Sequence, residues 1–121
     1  MINGDAQNAG IKASVAYSDF EKLDIRTATI LEAAPLEGAH KPAYRLLLDF
    51  GTLGMRKSSA QITSLYTAES LIGMQVLAVI NFPPRQIGKF MSECLVLGAC
   101  GENGITLIKP AEKTLNGLRI A

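Results

Sequence analysis

The stretch NFPPRQIGKFMSECLVLGA, from Asn81 to Ala99, gathers the residue types in this chain best suited to binding. Arg85 and Lys89 follow two consecutive prolines, Pro83 and Pro84. Phe90 comes next, and the pair Ser92-Glu93 stands at the entrance to an apolar run. Proline fixes φ, so cations in such a loop are held with little ordering cost when they meet an anion. Upstream lie Lys41, Arg45, Arg56 and Lys57, with Asp49 the one acid among them. Lys and Arg gathered this way can supply phosphate contacts, and the Phe90 ring can supply a stacking face for a base. The opposing reading is that these are scattered solvated charges, that Phe90 is core, and that Pro83-Pro84 only ends a strand.

Catalysis finds less support. His40 is the only imidazole, and neither G-x-S-x-G nor H-E-x-x-H surrounds it. Ser58 and Ser59 have no assignable base, and no Gly-rich phosphate loop opens a helix. No catalytic residue, metal or cofactor is therefore expected. Cys94 and Cys100 are too few for a zinc site without a His cluster. If the segment between them is extended it spans roughly 20 Å, too far for a disulfide. They read as semi-buried thiols of a reducing compartment.

These groups need a scaffold, and 121 residues fit one domain with a real core and no disulfide staples. The formal net charge of +1 and pI near 7.8 mean that any basic surface is local. No targeting segment and no membrane span is apparent, so a cytoplasmic protein without membrane insertion is expected. Residues 1–17 read as a loose N-terminal extension and residues 18–121 as the domain.

Along the domain, SDFE (Ser18–Glu21) matches a capping box and predicts a helical turn with Phe20 and Leu23 pointing inward. Ile25–Ala34 is rich in β-branched residues and predicts a strand. In AYRLLLDF, Tyr44, Leu46, Leu48 and Phe50 share one face of a strand. MRKSSAQI is a weaker strand. YTAESLIGMQ reads as a short helix, with Thr67 its N-cap and Gly73 its stop. Val76–Phe82 predicts a strand buried on both faces. A Pro-Pro loop, the strand ECLVLGA and a GENG turn into ITLIK follow, and NGL (Asn116–Leu118) suggests a last turn.

The predicted fold is all-β, a β-barrel with one short helix: an OB-fold Greek-key barrel of five to six strands plus an N-terminal helical turn. Strand count alone leaves an SH3-like barrel open. The helix between the third and fourth strands favours the OB type.

The strings DFEKLDIRTATILEA, YRLLLDFG, KSSAQIT and LIGMQVLAVINFPPRQIGKFMSECLVLGA, in this order from Asp19 onward, resemble the CsaA family. These small bacterial proteins are described as export-related chaperones within a wider group of OB-fold tRNA-binding domains. The resemblance implies a homodimer without catalysis. It also implies two ligand classes, tRNA or structured RNA and unfolded preprotein segments. The wider pattern matches at Asn81, Pro84, Arg85 and Ser92. It departs at Cys94 and Leu95, where Gly and Met are usual, a departure the CsaA group shares. The expected RNA-binding set is Lys41, Arg45, Lys57, Asn81, Arg85, Lys89, Phe90, Ser92 and Glu93. In it Ser92 and Glu93 complete a polar rim, with Glu93 orienting a cation or meeting a base edge. The alternative is a peptide-binding chaperone with no physiological RNA ligand.

Overall fold

The computed structural model describes residues 10–121. The N-terminal extension expected over 1–17 thus lies, for residues 1–9, outside the described residues. Residues 10–16 are exposed and carry no helix or strand. Helix α1 spans Tyr17–Glu21. It starts one residue before the expected cap, because the Asp19 carboxylate accepts from the Ala16 N–H at 3.1 Å. Ser18 therefore lies inside the first turn. No residue of α1 is buried, and Leu23, expected inward, is exposed.

The scaffold is a five-stranded antiparallel sheet in the order β3-β2-β1-β4-β7. Its strands are β1 (Ile25–Pro35), β2 (Tyr44–Asp49), β3 (Met55–Ala60), β4 (Gln75–Val79) and β7 (Leu95–Val96). Two hairpins complete the nine strands among the described residues. One is β5 (Arg85–Ile87) with β6 (Phe90–Ser92), and the other is β8 (Gly98–Gly101) with β9 (Gly104–Leu107). The alternation read in β2 is present: Leu46, Leu48 and the following Phe50 are buried, and Arg45 is exposed. With Ile30, Val76, Ala78, Leu71 and Cys94 they form the core.

Helix α2 (Ala68–Leu71) connects β3 to β4 and sends the fully buried Leu71 into that core. Thr67 caps it as expected. Its Oγ1 accepts from the Ser70 N–H at 3.2 Å, and the Ser70 hydroxyl oxygen accepts in return from the Thr67 N–H at 3.1 Å. Gly73, at φ +89°, stops the helix and donates its N–H to the Ile30 carbonyl at 2.7 Å. A meander, a helix between its third and fourth strands, and near-closure of the sheet on itself define an OB-type barrel.

Three expectations are modified. The fourth strand ends at Val79, not Phe82, because Pro83 has no N–H for a ladder and restricts the residue before it. The Pro-Pro loop contains the β5–β6 hairpin. The expected strand ECLVLGA divides into β7 and β8, in different sheets.

Two seams close the barrel. On one, Glu93 donates its N–H to the Lys57 carbonyl at 2.7 Å, and the Lys57 N–H returns to Glu93 Oε1 at 2.9 Å. On the other, residues 114–120 form a strap along the first half of β1. Gly117 donates to the Thr27 carbonyl at 2.7 Å, and Thr27 donates to the Leu118 carbonyl at 3.1 Å.

Candidate nucleic-acid interface

The β5–β6 hairpin is the centre of the site. Its two-residue turn is Gly88-Lys89, with Gly88 at φ +59° and no positive φ at Lys89. A positive φ at the first turn position is the type II′ geometry that suits the twist of a hairpin. The Gly88 turn meets the tip of the β1–β2 loop backbone to backbone. A Cβ added at Gly88 would sit 3.7 Å from the Gly38 Cα.

One flank of the hairpin is a cleft of about 150 Å³ lined by Glu32, Arg45, Lys57 and Phe90. Lys57 Nζ lies 5.4 Å from the centroid of the half-buried Phe90 ring, within cation–π range. The other flank is a groove of about 840 Å³ running from the β1–β2 loop past the end of β3 to β7 and the β8–β9 hairpin. Lys41, Arg85 and Ser92 line it. Lys41, Arg45, Lys57, Arg85 and Lys89 are all exposed. None of these five is within 4.0 Å of a carboxylate oxygen, the two ion pairs among the described residues being Lys22–Asp19 and Arg26–Asp24. Cations left without internal partners are available to an external anion.

The other three expected residues are employed by the fold. Ser92, expected at a polar rim, is buried at 8% exposure. Its Oγ accepts from the Ser59 N–H at 3.0 Å, beside the Ser58 hydroxyl that donates to the Cys94 carbonyl at 3.0 Å. Glu93 spends one carboxylate oxygen on the Lys57 backbone. Asn81 fastens the α1–β1 connection to the end of β4. Its Nδ2 donates to the Lys22 carbonyl at 2.7 Å, and its Oδ1 accepts from the Asp24 N–H at 2.9 Å. It lines neither cleft nor groove.

The sequence reading missed Phe82. Its sequence context predicts a strand, yet it stands 44% exposed on the lip of the groove. Its position before Pro83 was the available signal, since a residue before proline at a strand end is freed from the ladder. Gln61, Gln86 and His40, also on the groove, carried no sequence signal. No group of three or more His, Cys, Asp or Glu side chains placed to hold a metal occurs among the described residues. No helix among them is long and apolar enough to cross a membrane.

An OB-type barrel whose hairpin is ringed by cations without an ion-pair partner among the described residues is a scaffold suited to nucleic acid. A family model described as "Putative tRNA binding domain" matches residues 25–119. The chain is 45% identical to the chaperone CsaA of Bacillus anthracis str. Ames, with a TM-score of 0.86 over 90% of this chain and 100% of that one. It is also 45% identical to the CsaA chaperone protein of Picrophilus torridus, with a TM-score of 0.85 over 89% and 100% of the two chains. Methionine–tRNA ligase of Francisella tularensis subsp. tularensis (strain WY96-3418) is 39% identical over 110 residues, 91% of this chain and 16% of the ligase. The chain thus spans about a sixth of that relative's length. It belongs to the tRNA-binding-domain family, as a protein of the CsaA type.

Proposed function

We propose that this protein is a non-catalytic binder of tRNA or structured RNA, acting from the cytoplasm as a homodimer. The phosphate contacts come from Lys41, Arg45, Lys57, Arg85 and Lys89, with Phe90 stacking beside them. Five exposed cations around one hairpin, without a carboxylate partner among the described residues, carry this reading. Family membership supports it. Ser92, Glu93 and Asn81 serve the interface by holding the barrel and its loop ends in place. Filter binding of bulk tRNA at two salt concentrations tests it. Affinity should fall steeply as salt rises, because each neutralised phosphate releases counterions. Absence of binding, or binding indifferent to salt, contradicts it.

A second reading is an export-related chaperone for unfolded preprotein segments. The apolar walls of the groove favour it, as do the chaperones of Bacillus anthracis and Picrophilus torridus that this chain resembles. Apolar peptide binding would be held or strengthened at high concentrations of excluded salts such as sulfate, so the same titration with a labelled peptide separates the two.

A further inference from the structure

We infer that the large groove takes an unpaired nucleotide of the RNA, so that the protein grips a single-stranded segment as well as phosphate backbone. This rests on the RNA-binding reading and names what its groove receives. Phe82 presents an exposed ring on the lip, at 44% exposure. His40, on the β1–β2 loop, offers a second planar face. Gln61 makes no side-chain hydrogen bond among the described residues. Gln86 donates one, to the Gly88 carbonyl at 3.1 Å, so both amides retain hydrogen-bonding capacity for a base edge. Arg85 and Lys41 add two cations to the same walls, and none of the described residues lining the groove is Asp or Glu.

Unpaired bases are recognised by this combination: an aromatic face for stacking, amides for the Watson–Crick edge and cations for the adjoining phosphates. A duplex keeps its base faces stacked inside and has nothing to lay on Phe82. A peptide with a neutral backbone would leave Arg85 and Lys41 without counter-charge. The volume of about 840 Å³ lies in the range of pockets that enclose a small organic ligand.

The experiment is fluorescence anisotropy with a labelled single-stranded RNA of about six nucleotides, within the span one OB barrel covers. The same sequence as a blunt duplex and bulk tRNA are measured alongside. The single strand should bind more tightly than the duplex. Phe82→Ala should weaken single-strand binding about 5- to 100-fold with the log–log salt slope unchanged, because stacking releases no counterions. Gln61→Ala should weaken it too, and provides a second readout from a different wall. The inference is overturned, with the RNA reading intact, if tRNA binds but the single strand binds no better than the duplex and neither variant changes it. It is also overturned if an apolar peptide fills the groove and the single strand stays bound. If wild-type protein binds neither tRNA nor the single strand, the RNA reading itself fails and the inference with it.

Discussion

Cys94 shows how one residue joins core and seam. It lies in the core beside the seam serines, and burial pushes its thiol from 9.0 up to about 12, assisted by the Glu93 charge and opposed by the Ser58 hydrogen bond and Arg56. The thiol of the unfolded chain loses its proton first as pH rises past 9.0, while the folded one keeps it until about 12. The folded state then binds more protons, so stability falls with rising pH in that window and the contribution is intact below it. Cys94→Ala should flatten this part of the stability–pH profile, read as urea midpoints above pH 9.0. In the native protein at neutral pH, Cys94 should resist alkylation and react only after unfolding. Ser92 acts at the same scale. Ser92→Ala leaves the Ser59 N–H without its acceptor, and should cost about 1–3 kcal/mol in urea denaturation. The tRNA salt slope should not change. A folded Ser92→Ala protein with a shallower slope would place Ser92 on the RNA.

At the scale of elements, two glycines decide how the C-terminal strap lies against the barrel. Gly117 sits at φ +84°, and a Cβ there would run into the Phe50 carbonyl oxygen. Gly51, at φ +68°, faces the Asn116 carbonyl oxygen, 2.7 Å from where its Cβ would be. Gly117→Ala should therefore destabilise the protein by about 2 kcal/mol or more through strain and displacement of the strap, measured by thermal unfolding. RNA affinity of the folded fraction should hold, because no residue of the strap lines the cleft or the groove beside the hairpin. An unchanged melting temperature would show that the strap is not fixed at this point. The elements legible in the sequence were those with a local signature. β2 showed its period of two, and α2 carried a capping threonine and a stopping glycine. The β5–β6 hairpin was not legible, because its strands are three residues each and two prolines before them read as loop. α1 begins two residues earlier than its expected capping box implies, because two acids could reach back to a cap, and Asp19 rather than Glu21 does so. At the site, the cations and Phe90 could be read from residue type. The roles of Ser92, Glu93 and Asn81 could not, since they depend on partners 33 to 59 residues away in sequence.

At the scale of the whole molecule, the barrel leaves apolar surface at both ends of the described chain. Ile11, Val15 and Tyr17 are exposed at one end, and Leu115 and Leu118 at the other. A symmetric homodimer that covers this surface is the assembly we propose, with an interface of at least about 1,000 Å². Light scattering at micromolar concentration should give twice the chain mass, and a monomer mass would contradict it. The central claim is that the cations of the hairpin neutralise RNA phosphates. The most direct measurement is the dependence of tRNA affinity on salt for wild-type protein and for Arg85→Ala/Lys89→Ala. Both side chains are exposed and have no ion-pair partner among the described residues, so the variant should keep its circular dichroism spectrum. Its affinity should fall and its log–log salt slope should shrink by about 2, one for each lost phosphate contact. A folded double variant that binds tRNA with wild-type affinity and slope would show that this hairpin is not the RNA site.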